Sequence, residues 1–197
     1  MSPDLSEVAA RIESELLPTD MATTAYPVLI MMSGLPGSGK SYLSERLAGQ
    51  LPAVIVESDC VRKKLFRQPT YDAQESGMVH RACQEVMRAL LRKGVRVIFD
   101  ATNLVEFQRE VLYNLAERSG AHVLIVRTVA PEHIIRERLE RRQADAQGVS
   151  DADWQVYRRM SKRQQTIRRA HVRIDTSQST DEAVRTVLKA VRRCTGR

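Results

Sequence analysis

The segment Gly34-Leu-Pro-Gly-Ser-Gly39-Lys40-Ser41 restricts the fold more than any other part of the chain. An apolar run, residues 28–32, precedes it and a helical pattern, residues 41–50, follows it. A strand, a tight glycine-rich turn and a helix must therefore follow one another. Glycines let the turn aim successive backbone N–H groups at one point, and the helix adds the positive end of its dipole there. That point suits phosphate oxygens. Lys40 can reach β- and γ-phosphates, and the Ser41 hydroxyl can ligate Mg2+. The spacing matches GxxxxGK[ST] in full. It implies a nucleoside-triphosphate site built from Gly34, Pro36, Gly37, Ser38, Gly39, Lys40, Ser41 and the adjoining Tyr42.

Around this unit, short apolar runs alternate with helical patterns. The runs at 28–32, 53–56, 95–99, 123–126 and 172–174 read as strands buried on both faces. Helices are expected over 41–50, 74–92, 105–118, 131–143, 153–170 and 181–193. Asn103 and Glu106 have the spacing of a reciprocal N-terminal cap for the third of these. Such alternation indicates an α/β domain, residues 28–197, with a parallel sheet. Residues 1–27 stand apart. Leu5, Val8, Ile12 and Leu16 recur at helical spacing, so 5–17 is an amphipathic helix and 18–27 a linker.

Composition narrows the class. The 197 residues hold 31 Lys+Arg against 24 Asp+Glu, a net charge of +7. Arginine supplies 25 of the 31 bases, and its planar fork matches phosphate oxygens. Residues 131–173 carry eleven bases and six acids, which makes either a solvated helical face or a basic surface for phosphates. Cys60, Cys83 and Cys194 form no CxxC pair. No stretch approaches the roughly 18 apolar residues of a membrane span, and the N-terminus lacks the basic-then-apolar order of a signal peptide, so a cytoplasmic location is expected. No DxxG directly follows a strand and no [NT]KxD occurs, against a GTPase; the strand at 95–99 lacks the consecutive acids of an AAA+ or helicase motor. A compact kinase remains.

Candidate chemistry lies where strands end, because that edge of a parallel sheet faces the ligand crevice. After the second strand comes Asp59, able to accept a hydroxyl proton, with Arg62 one turn on to hold a negative group of the acceptor. Asp100 ends the third strand, where it can hold Mg2+ through water or bind the acceptor hydroxyl. Arg138, Arg141 and Arg142 precede a polar connection, 143–151, that reads as a lid, with arginine-rich residues 138–152 closing over the transferring phosphoryl group. His80, His122, His133 and His171 lack metal-ligand spacing and read as surface or interface residues. Trp154 and Tyr157 read as packing residues.

The segments SGLPGSGKS, ESDCVRKKLF and VIFDATN, then a long helix and another strand, resemble the small P-loop kinases typified by the kinase domain of bacterial and phage polynucleotide kinases. Zeta-toxin-like kinases, predicted bacterial kinases and chloramphenicol phosphotransferase resemble it more distantly. The resemblance covers about residues 28–193. It implies a three-layer α/β/α fold with a five-stranded parallel sheet in the order 2-3-1-4-5. It also implies Asp59 as general base, Arg62, Asp100 and Asn103 on the acceptor side, Ser41 and Asp100 near the metal, and Arg138 or Arg142 on the phosphates. The expected activity is ATP- and Mg2+-dependent phosphoryl transfer to a hydroxyl, on a small molecule or on a nucleic-acid 5′ end. The alternative is an ATP-binding regulatory NTPase without an acceptor.

Overall fold

All six residues of Val28–Ser33 are buried, which makes this strand (β1) the centre of the sheet. In the computed structural model, which describes residues 5–144 and 152–196, β1 pairs in parallel with Val97–Asp100 (β3) and with His122–Val129 (β4). Val54–Glu57 (β2) adds to β3 and Val172–Asp175 (β5) to β4, so the order is β2-β3-β1-β4-β5, all parallel. The fold is a three-layer α/β/α sandwich of the kind the resemblance implied.

Alternation along β1 divides the core. Leu29 and Met31 face one layer, formed by helices α1 (Leu5–Leu16), α3 (Ser58–Leu65), α4 (Ala73–Arg92) and α5 (Glu106–Arg118). Val28, Ile30 and Met32 face α2 (Lys40–Ala48) and α8 (Thr180–Cys194), chiefly through Leu43, Leu47, Val184 and Val187. A third, smaller cluster joins α6 (Glu132–Ala144) to α7 (Trp154–Ser161) through Ile135, Leu139 and Tyr157, with Trp154 stacked on Tyr157 at 4.6 Å. No helix among the described residues is long and apolar enough to cross a membrane.

Helix α1 is packed into the first layer. Ala9 and Ile12 are buried against it, and ion pairs from Lys64 to Glu15 and from Lys93 to Glu13 tie α1 to α3 and to the end of α4.

Two expectations need correction. The helix expected over 153–170 ends at Ser161. Beyond it the chain is pulled toward the start of α5: Gln165 N donates to Leu104 O at 2.9 Å, and the buried Arg109 guanidinium donates to Thr166 O at 3.0 Å. These long-range bonds outweigh local helix propensity. Asn103 is not a cap. Val105 holds that position on α5, while Asn103 lies at φ 45° with its amide donating to Met32 O at 2.7 Å. The lid connection expected at 143–151 falls mostly outside the described residues.

Because Ile12 is fully buried on α4, Ile12→Ala should lower the unfolding free energy by about 2–4 kcal/mol through lost burial and the cavity left behind. Urea unfolding of the two proteins checks this; an unchanged midpoint would show that α1 contributes nothing to the core.

Candidate active site

The phosphate loop joins β1 to α2, and residues outside it hold its shape. Gly39, at φ 83°, sits where any side chain would press on Thr176 at 3.0 Å, and a Cβ on Gly34 would lie 2.7 Å from Thr128 O. Thr128 Oγ1 shares a 2.7 Å hydrogen bond with Ser38 Oγ, and Thr176 Oγ1 donates to Ser38 O at 2.9 Å. Arg138 donates to Gly37 O at 3.3 Å and to Thr176 Oγ1 and Thr176 O at 2.9 and 2.7 Å. Lys40, the first residue of α2, donates from Nζ to Leu35 O at 3.1 Å. The Gly37 and Ser38 carbonyls are thereby satisfied from outside the loop.

Three carboxylates gather beside Lys40 at the carboxyl edge of the sheet. Parallel register sets Glu57, the last residue of β2, against Asp100, the last residue of β3. Asp59 follows in the first turn of α3. Asp100 is 4% exposed. Burial raises its pKa, against the pull of the Lys40 ammonium and a hydrogen bond with the Ser41 hydroxyl. Burial lowers that of Lys40, opposed by Asp100 and Asp59. Burial, with Asp100 and Asp59 nearby, pushes Glu57 up to about 7. Arg142 acts electrostatically on both Lys40 and Asp100.

One cavity of about 1770 Å³ takes in Lys40, Ser41, Glu57, Asp59, Asp100 and Arg142. The donor set here suits Mg2+: the Ser41 hydroxyl already meets the Asp100 carboxylate, both are oxygen donors, and Mg2+ is characteristically held by one or two protein oxygens plus phosphates and water. No cluster of three or more His, Cys, Asp or Glu that could hold a metal occurs among the described residues.

Other expected site residues are placed differently. Arg62 lines the cavity, but its guanidinium pairs with Glu75, reaches Ser76 Oγ at 3.4 Å and lies over the Tyr71 ring. An ion pair formed inside the protein has taken the charge expected to meet the acceptor. Arg138 lines the cavity too, yet its donors go to the phosphate loop and Thr176. Tyr42 is half-exposed and accepts from Arg46 at 3.0 Å. Asn103 is buried and does not line the cavity; its amide braces β1, which corrects its expected place on the acceptor side.

Sequence reasoning missed Glu57, although the strand-end rule that found Asp59 covers it. It missed Thr128 and Thr176, whose partners lie 90 and 138 positions away in the chain. It also read His80 as a surface or interface residue; His80 is half-buried in the cavity wall, 3.4 Å from Gln108, and burial and Arg62 keep its pKa below the usual range.

A protein-family profile described as AAA domain (AAA_33) matches residues 29–167. The human protein 6-phosphofructo-2-kinase/fructose-2,6-bisphosphatase 4 is 30% identical over 123 residues, covering 54% of this chain and 26% of that protein. The chain thus spans about a quarter of that relative. Among solved structures, a Mycobacterium tuberculosis APS kinase in complex with AMPPNP and APS superposes with a TM-score of 0.62 at 18% identity, over 84% of this chain and 97% of the other. A Sinorhizobium meliloti gluconokinase gives 0.63 at 19% identity, over 86% and 94%. Both share the fold.

The raised pKa of Glu57 has a definite consequence for stability. Its carboxyl moves from the ordinary 4.5 to about 7, so the folded chain binds that proton more tightly than the unfolded chain. The associated stability is present below the unfolded value and is lost as pH rises through the folded one. Glu57→Gln should remove this loss. In urea melts with EDTA, the wild-type midpoint should fall relative to the variant between about pH 5 and 8; parallel curves would refute the assignment.

Proposed function

The chain belongs to the AAA domain family AAA_33, and we propose that within it this protein is a small kinase, transferring the γ-phosphoryl group of ATP to a hydroxyl. The convergence of Lys40, Asp59, Asp100 and Arg142 on one cavity beside a braced phosphate loop carries this reading. The loop N–H groups and the α2 terminus hold the triphosphate. Lys40 and Arg142 draw charge from the three oxygens of the transferring group as its bond to the leaving oxygen lengthens. Asp59 accepts the proton that the acceptor hydroxyl loses as its oxygen attacks phosphorus. Ser41 and Asp100 would hold Mg2+, whose chemistry is to neutralise charge on the β- and γ-oxygens. Arg138 positions the loop.

The acceptor is read as a small molecule. Proteins similar to this chain are named for phosphofructose, gluconate and APS as acceptors. A nucleic-acid 5′-hydroxyl is the second acceptor to test, since the basic stretch 131–173 favours it. A regulatory NTPase without an acceptor predicts slow ATP hydrolysis that no hydroxyl compound stimulates and that Asp59→Asn leaves unchanged.

The test is transfer of labelled γ-phosphate from ATP to small hydroxyl compounds and to a 5′-hydroxyl oligonucleotide. Asp59→Asn should lower turnover by about 10²–10⁴-fold while labelled ATP still binds. EDTA should abolish transfer. Equal turnover by wild type and variant would remove Asp59 from the chemistry.

A further inference from the structure

The cavity has two ends of opposite character. The carboxylates Glu57, Asp59 and Asp100 crowd the end beside the phosphate loop. The other end lies between α4, the start of α5 and α7, and among the described residues that line it no carboxylate is left for a ligand. Asp72 lines it, but its side chain accepts from Glu75 N and from Thr70 Oγ1, each at 2.8 Å, and Glu75 is paired with Arg62.

The α7 wall has a pattern that core packing does not explain. Trp154 and Tyr157 take the core contacts, on Ile135 and Leu139. Val156, Arg159, Met160 and Arg163 fall at the three- and four-residue spacing of a different face, and all four line the cavity. Arg163 stands just past the helix end, its N–H donating to Met160 O at 3.0 Å. Neither Arg159 nor Arg163 has a hydrogen bond or ion pair to a carboxylate among the described residues, unlike Arg62, Arg109, Arg136 and Arg169. The facing wall is apolar, with Val79, Leu104 and Val105, broken by the His80–Gln108 pair. Apolar walls strengthen a charge interaction that solvent would otherwise weaken.

We propose that the acceptor is a small organic oxyanion, a hydroxyl compound carrying a phosphate, sulfate or carboxylate group that Arg159 and Arg163 bind. The apolar side chains beside the two arginines, Val156 and Met160, cover its carbon frame, and its hydroxyl is the one presented to Asp59. This rests on the kinase reading above. It moves acceptor recognition away from Arg62, whose charge Glu75 has taken, to α7 and the residues just past its end.

The experiment uses the full chain, labelled ATP and paired acceptors: glycerol with glycerol 3-phosphate, glucose with glucose 6-phosphate, ribitol with ribonate, and a 5′-hydroxyl oligonucleotide. The anionic member of at least one pair should show kcat/KM about tenfold or more above its neutral partner. For that acceptor, Arg159→Ala and Arg163→Ala should each raise KM about tenfold with a smaller change in kcat, and Lys at either position should recover part of the loss. Both arginines are exposed, and thermal melts of the variants check that they stay folded. Transfer confined to neutral compounds or to the oligonucleotide, or an acceptor KM unmoved in folded variants, overturns the proposal and leaves the kinase reading standing. ATP bound and hydrolysed without transfer to any acceptor also overturns it. Failure to bind ATP overturns the kinase reading and this assignment together.

Discussion

The phosphate loop aims its N–H groups at one point, which leaves its carbonyls to be satisfied elsewhere, and much of the structure around it serves that constraint. A loop of this shape turns its carbonyls outward, where each needs a partner. Thr176, just after β5, and Arg138, on α6, supply those partners to Ser38 and Gly37. Thr128, near the end of β4, fixes the Ser38 side chain. The order of the sheet follows from this need. Strands β4 and β5 lie on one side of β1 and deliver their threonines to the loop's flank, while β3 and β2 lie on the other and deliver the acids.

The acids are held at a cost that Lys40 offsets in part. Three carboxylates beside each other, one nearly fully buried, repel one another and lose hydration. Register leaves Glu57 and Asp100 no freedom to separate, and the upward shift of both shows that local cations do not fully compensate. A site prepared in this way has spare negative potential at one end. The α7 side has spare positive potential at the other. The proposed acceptor would set its hydroxyl beside the acids, where a proton acceptor is at hand, and its anionic group beside the arginines.

Support for this arrangement comes from behind the sheet. Helix α3 carries Asp59 at its start and Lys64 near its end, and the pairing of Lys64 with Glu15 ties that helix to α1. Arg109, fully buried, collects Asn103 O, Leu104 O and Thr166 O, so the loop after β3 and the chain beyond α7 are fixed to one guanidinium. Two of the elements that bound the α7 end of the cavity, the start of α5 and the segment after α7, therefore meet at Arg109.

Much of this was legible in the residues alone. The phosphate loop, the strand–helix alternation, the five strands and Asp59, Asp100 and Lys40 as neighbours of one crevice rest on local patterns: glycine spacing, apolar periodicity and the rule that strand ends face the ligand. Those patterns say where a side chain lies along its own element. They do not say what it meets. Asn103 had the spacing of a cap and became a brace for β1; Arg62 had the position of an acceptor contact and became the partner of Glu75; Arg138 turned to the loop while Arg142, one turn on, faced the acids. The helix at 153–170 stopped early because Leu104 and Arg109, some 60 positions back, drew the chain off its helical path. Local physics in the sequence determined which elements form and which edge carries the chemistry. Only the tertiary structure decided which charges remain available, because a charge is used up by whichever partner the fold brings to it, and that partner is distant in the chain.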